Sequence, residues 1–317
     1  MGEDTGAQVT DVLARRPLGR TGLEVTPVCL GGGVLGSMPE VFGYAVAADQ
    51  GIATVRRALA GPINFLDTSA DYSGGESERR IGAALRANGG LPAGYVLATK
   101  ADPIGGDFSG DAVRRSVAGS LQRLGLDRLQ LVHLHDPERI SFADGMAAGG
   151  PVEALVDLQR QGVIEHLGVA GGPIPLLRQY LRSGAFQVVL THNRFTLVDQ
   201  SAEPLIDEAA ALGVGVLNAA PYGGGFLAKG PDVQPNYAYQ QADPERVQLV
   251  RDIEDHCGRF GVPLRAAALQ FSIRDPRIGS TVVGVSSPER VDDTIGLARW
   301  PIPGELWDLI NATRGAQ

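Results

Sequence analysis

The chain has 317 residues, 44% of them hydrophobic, with 36 acidic against 28 basic side chains and a formal net charge of -8. That content supports a large core, and the acidic balance excludes the basic surface that nucleic acid or an anionic membrane demands. Two cysteines, Cys29 and Cys257, without C-x-x-C or zinc spacing, exclude a disulfide framework and fit reduced thiols in a cytoplasmic protein.

In chain order, Met1 to Arg16 are polar and lack the apolar stretch of a secretory signal. Residues 1–15 read as a flexible extension of one domain spanning 1–317. Arg16 to Gly22 (Arg-Pro-Leu-Gly-Arg-Thr-Gly) reads as a small hairpin turn plugging a barrel floor. Eight apolar runs bounded by turn residues follow as predicted strands: Val25-Leu30, Ile63-Asp67, Tyr95-Lys100, Leu129-His135, Ile164-Ala170, Phe186-His192, Val214-Ala219 and Thr281-Val285. Amphipathic helical patterns lie between them, over Glu76-Arg86, Ala112-Leu124, Pro151-Gln161, Ile174-Leu181, Glu203-Leu212 and Pro244-Phe260. Strands alternating with helices imply a parallel sheet, and eight units favour a closed (β/α)8 TIM barrel over an open doubly wound sheet. The interval between the seventh and eighth strands is unusually long. It opens on Pro221-Tyr222-Gly223-Gly224-Gly225 and reads as a lid or ligand loop. Ser287-Pro288-Glu289 then starts a capped helix. No stretch approaches the roughly 20 apolar residues of a membrane span.

Three successive strands end in titratable groups of different type: Asp67, Lys100 and His135, with Tyr72 five positions after Asp67. Singly, each has an ordinary explanation, as a helix cap, a surface lysine, a core histidine or a rim aromatic. Together they converge on the carboxyl rim of a barrel, where such proteins gather their chemistry. A phenol titrates near pH 10, and a neighbouring ammonium lowers that value. Lys100 is therefore expected to tune Tyr72 as general acid/base, Asp67 to hold Lys100, and His135 to donate a hydrogen bond to a carbonyl oxygen. None of the four donates hydride, so redox chemistry requires a cofactor. His133 shares a strand face with His135; His135 is favoured because it lies nearer the rim.

The chain resembles the aldo-keto reductase superfamily from Arg16 to the C-terminal helix. The carrying segments are Arg16 to Gly22, Asn64 to Tyr72 (Asn-Phe-Leu-Asp-Thr-Ser-Ala-Asp-Tyr), Ser77-Glu78 with Ile81-Gly82, Ala98-Thr99-Lys100, His135-Asp136-Pro137, and Gly284 to Glu289. The resemblance implies that Asp67, Tyr72, Lys100 and His135 form a catalytic tetrad. It also implies a barrel that binds NADP or NAD in extended form, which agrees with the absence of a glycine fingerprint after the first strand. Nucleotide contacts are then expected from Gly32, Ala170, Gly171, His192, Ala219, Pro221, Tyr222, Gly223, Gly224, Gly225, Gly284, Ser286 and Arg290.

Several of these depart from the family pattern. Ala170-Gly171 stands where a Ser-Asn pair usually grips the nicotinamide carboxamide, His192 where a Gln is usual, and Ala219 where an aromatic stacks. Gly284 replaces a lysine for the 2′-phosphate, while Arg290 is kept. His192, Asn193 or backbone groups are left to hold the carboxamide, and the glycine run reads equally as a pyrophosphate cradle or a plain turn. The segments around Leu217 to Gly225 and His135-Asp136-Pro137 resemble the aldose 1-dehydrogenase branch, with its L-fucose, D-threo-aldose and related pyridoxal dehydrogenases. Aromatics are only 6% of the chain, and Asp71, Asp136, Asn193 and Arg194 offer a polar lining suited to a hydroxylated small molecule, a sugar or aldehyde. Hydride exchange at C1 of an aldose is the expected reaction. A general carbonyl reductase, a pyridoxal-type dehydrogenase and a nucleotide-binding redox sensor are the rivals. A metal-dependent hydrolase is disfavoured because only His133-x-His135 makes a pair, so no metal ligands are assigned.

Overall fold

A computed structural model describes residues 11–238 and 240–315. Eight parallel strands close into a barrel: β1 (Val28–Gly31), β2 (Phe65–Asp67), β3 (Val96–Ala101), β4 (Leu129–His135), β5 (Ile164–Gly171), β6 (Val188–His192), β7 (Gly215–Ala219) and β8 (Ser280–Gly284). Each pairs with its sequence neighbour, and β8 pairs with β1 through Thr281 opposite Val28, so no edge is left open. The (β/α)8 expectation is met.

Strand alternation decides what faces inward. Leu18, Cys29, Phe65, Val96, Ala98, Leu131, Ala170, Val188, Leu190, Leu217 and Val282 pack together as the barrel's inner core. Asp67, Lys100, His133, His135, His192, Ala219 and Gly284 continue that inward register toward the carboxyl ends. The opposite faces, Leu97, Val132, Val169 and Val189 among them, pack under the surrounding helices.

The expected floor turn is an antiparallel hairpin in which Arg16–Pro17 pairs with Glu24–Val25. Leu18 at its tip is fully buried, and a side chain at Gly215 or Gly279 would strike it at 2.8 or 2.6 Å. Val25 thus belongs to the hairpin, and the first barrel strand starts at Val28. Asn64 likewise stays out of β2: its amide receives Thr26 N–H at 2.8 Å and donates to the carbonyls of Glu24 and Gly94, tying hairpin to barrel. Of the expected 1–15 extension, residues 1–10 lie outside the described residues. Leu13 is buried and Asp11 pairs with Arg299 at 2.8 Å, so the anchored chain starts before Arg16.

Helices cover the barrel between strands. Glu76–Ala87 (α1) and Gly110–Leu124 (α2) follow β2 and β3, and α2 is capped by Ser109 and closed by left-handed Gly125. Pro288–Ala298 (α3) follows β8 and is capped by Ser287, as expected. The long β7–β8 interval holds a short hairpin, Asn236–Tyr237 with Gln240–Gln241, then helices Pro244–Arg259 and Leu264–Ile273. No helix among the described residues is long and apolar enough to cross a membrane.

Gly82 sets the distance between α1 and α2. A Cβ there would lie 2.0 Å from the carbonyl oxygen of Arg123, which is backbone and cannot swing aside. Gly82→Ala is expected to cost about 1–3 kcal/mol through overpacking, read as a lowered midpoint in chemical denaturation with an unchanged slope.

Candidate active site

Asp67 ends β2 and Lys100 lies one residue before the end of β3, both facing into the barrel. Lys100 Nζ donates to Asp67 Oδ2 at 2.6 Å and to the carbonyl of Thr68 at 2.7 Å, and both side chains are buried. Burial opposes the lysine's charge. The Asp67 carboxylate and the Tyr72 hydroxyl outweigh it and raise Lys100 above its ordinary value, so the ammonium persists. Burial raises Asp67 against the pull of Lys100.

Tyr72 arrives from the loop after β2. Its ring lies 4.7 Å from Lys100 Nζ and meets the His135 ring edge-on at 5.9 Å. Here the expectation needs correction. Lys100 does pull the phenol down, but burial of the hydroxyl pushes harder, and Tyr72 rises to about 12. At neutral pH it is a phenol, a hydrogen-bond donor.

Of the two histidines, His133 is fully buried with neither nitrogen partnered. Its ring packs on Gly168, where a Cβ would lie 2.1 Å from Nδ1, and burial drives it well below its ordinary value. His135 sits at the rim, 12% exposed. The rim placement distinguishes His135 as the reactive candidate.

Asp102 escaped the sequence reading. It is the next inward position after Lys100, it is buried, and its Oδ1 accepts from His135 Nδ1 at 2.5 Å. Its Oδ2 accepts from Ser69 Oγ and, at 3.1 Å, from the backbone N–H of Asp71. Burial works to raise Asp102, yet its bonds to His135 and Ser69 hold it below the usual carboxylate value. The signal was alternation: Ala98, Lys100 and Asp102 share one face.

The expected nucleotide contacts gather on the same carboxyl rim but differ in what they offer. Gly32 spends its N–H on the Asp67 carbonyl at 2.7 Å and its carbonyl on Ser77 Oγ at 2.8 Å, so it positions Asp67 and offers no free amide. The N–H groups of Gly223 and Gly225 bond to Ala220 and Tyr222 within a left-handed turn, and Gly223 abuts the Tyr237 ring. Those two amides serve the turn. Ala170 receives Asp136 N–H at 2.8 Å, and Glu138 crowds Gly171 and bonds the Gly172 amide at 3.1 Å. Pro221 is buried, Ala219 and Ser286 are half-buried, and Gly284 and Arg290 are exposed at the mouth.

A nicotinamide dinucleotide fits what remains. Asn193, held at φ 59, has a buried Oδ1 with no partner, the acceptor a carboxamide N–H requires, while its Nδ2 meets His192 Nδ1 at 3.1 Å. Tyr222 Oη is also buried and unpartnered. The N-terminus of α3, with Ser286, Ser287 and Arg290, suits phosphate. Tyr237, a further residue the sequence reading missed, donates to the Asn193 carbonyl at 2.7 Å and meets Thr196 Oγ1 at 2.9 Å. At the outer rim, Arg139 pairs with Asp136 at 2.9 Å and approaches Asp71 at 3.9 Å. Arg194 reaches over Gly172 and bonds the His192 carbonyl at 3.2 Å. Among the described residues no group of three His, Cys, Asp or Glu side chains is placed to hold a metal ion.

The sequence profile of the Aldo/keto reductase family matches residues 27–314. The chain belongs to that family. This membership carries the general NAD(P)-dependent oxidoreductase chemistry of the family. The chain is 34% identical over 286 residues to L-galactose dehydrogenase from Arabidopsis thaliana, covering 88% of this chain and 86% of that one. It is 30% identical over 291 residues to D-threo-aldose 1-dehydrogenase from a Pseudomonas species, covering 83% and 87%. It is 28% identical to pyridoxal 4-dehydrogenase from Microbacterium luteolum, covering 94% and 96%. A holo-form aldo-keto reductase from Bacillus halodurans superposes with a TM-score of 0.78 at 21% identity, over 95% of this chain and 96% of that one, a likeness of fold.

Removing the ammonium leaves Asp67 buried and unpaired. Lys100→Met is expected to destabilise the fold by about 3–5 kcal/mol at pH 7. A lysine raised in the folded state stabilises fully below its ordinary value of 10.5 and loses that contribution as pH climbs through the higher folded value. The gap between wild type and variant in denaturant titrations should therefore be full at neutral pH and narrow above about pH 10.5.

Proposed function

We propose that this aldo-keto reductase moves a hydride between C1 of an aldose and NAD or NADP. The observation that carries the choice of a sugar is the mouth of the site. Asp71, Asp136, Arg139 and Arg194 rim it with charge where a flat aromatic substrate would need apolar walls. Similarity to an L-galactose and a D-threo-aldose dehydrogenase supports the same class.

The dinucleotide, when bound, supplies the hydride acceptor or donor. The chain's own residues prepare the other partner. Lys100, fixed by Asp67 and Thr68, keeps a positive charge beside Tyr72. The Tyr72 hydroxyl, held as a phenol, donates to the reacting oxygen and stabilises the negative charge that gathers on it. Asn193 and His192 are assigned to the carboxamide, and α3 with Arg290 to phosphate.

Tyr72→Phe is expected to lower kcat by about 10²–10³, the usual cost of one such donor, while dinucleotide affinity by fluorescence titration stays at the wild-type level. Absorbance of the reduced nicotinamide, followed with L-galactose, L-fucose, D-arabinose, pyridoxal and simple aldehydes and with both nucleotides, tests the substrate class. Turnover confined to the aldoses supports the proposal. Turnover confined to aldehydes makes the chain a carbonyl reductase, and nucleotide binding without any turnover makes it a sensor.

A further inference from the structure

We propose that the groove between α1 and α2, on the outer wall of the barrel, is a second ligand site that takes the phosphate group of a small molecule on Arg79, Arg86 and Arg123. The site is independent of the hydride chemistry and shares no residue with the nucleotide and substrate contacts named above.

The groove encloses about 310 Å³ and is lined by Arg79 and Arg86 from α1 and by Gln122 and Arg123 from α2. Arg79 and Arg86 stand seven positions apart, on one face of α1. No carboxylate is among these lining residues, in a chain whose formal net charge is -8.

Two of the arginines are anchored by one edge only. Arg123 Nε donates to buried Glu78 at 2.6 Å, and its Nη2 meets Ser120 Oγ at 3.4 Å. Arg79 donates through Nε to Glu76 at 2.7 Å and through Nη2 to the Gly74 carbonyl at 2.9 Å. Nη1 of both, and the whole Arg86 guanidinium, have no hydrogen-bond or ion-pair partner among the described residues. Gly75 shows how the first two converge. A side-chain carbon there would lie 2.8 Å from Arg123 Nε and 3.2 Å from Arg79 Nη1.

Helix ends explain single cations, since Arg86 and Arg123 lie in the last turns of α1 and α2. They do not explain three like charges facing one recess, which repel one another until an anion sits among them. The guanidinium fork binds carboxylate or phosphate two oxygens at a time. A carboxylate has one charge and two oxygens to offer, whereas a phosphate has up to two charges and three oxygens and can be shared by three arginines. The recess is the size of a small-molecule site, and the acidic balance of the chain repels a polyanion. The ligand is therefore free phosphate or a small phosphate monoester.

Isothermal titration calorimetry tests this on protein saturated with a reduced dinucleotide, so that the nucleotide's own phosphate contacts are filled. The probes are glycerol 3-phosphate, which has no carbonyl to reduce, and inorganic phosphate, with glycerol at matched ionic strength as the blank. Expected is saturable binding of glycerol 3-phosphate with a Kd of about 1 mM or below, and none of glycerol. Arg79→Gln and Arg86→Gln should each weaken it by about 10-fold or more, the worth of a hydrogen bond to a charged group. Both side chains are exposed, so the fold survives their loss. Inorganic phosphate binding as well as the ester supports a site for the free anion, and weaker binding of it supports a site that also grips the ester's body. Absence of saturable binding by both phosphates, or binding that the two α1 variants leave unchanged, overturns the proposal.

Discussion

An ion pair sealed inside the barrel, Lys100 with Asp67, is the constraint on which the site is built. Two opposite charges removed from water are tolerated only if they stay together, and here they join β2 to β3 at the level of the rim. Their placement follows from the parallel ladder, which sets Asp67 beside Ala98 and Lys100 beside His133. Around them the helices are fitted closely. Thr99 donates to buried Glu78 at 2.5 Å, and Arg123 donates to the same carboxylate at 2.6 Å. The Ser77-Glu78 and Gly82 positions that carry the family resemblance are thus joints between α1, α2 and the strands.

The loop from Thr68 to Tyr72 extends that order outward. Ser69 and the Asp71 amide bind Asp102, which binds His135, while the Thr68 carbonyl takes Lys100. The one segment that delivers the phenol also braces both the ammonium and the imidazole.

Much of this was legible in the sequence, for a specific reason. Apolar alternation fixes which residues face inward, and Asp67, Lys100 and His135 each close such a run, so their convergence needed only the barrel. Asp102 is hidden in the sequence because the apolar run closes at Lys100, whereas the strand continues to Ala101 and the next inward residue lies just past it. The apolar pattern places the start of the first barrel strand too early because Val25 is a strand residue of the floor hairpin. The net rise of Tyr72 was not legible, since the sequence shows the cation but not the depth of burial that opposes it. Nor was Tyr237, whose partners Asn193 and Thr196 lie in another loop far away in the chain.

That tyrosine ties two regions the sequence keeps apart. Asn193 stays in a left-handed backbone turn, a conformation asparagine tolerates better than most residues, and the Tyr237 hydroxyl grips its carbonyl from the hairpin beyond β7. The hairpin and the sixth-strand loop are therefore joined at this hydroxyl. Any excursion of the insertion away from the barrel mouth withdraws a strut from beneath Asn193, so the shape of the sixth-strand loop depends on a segment more than forty positions further along the chain.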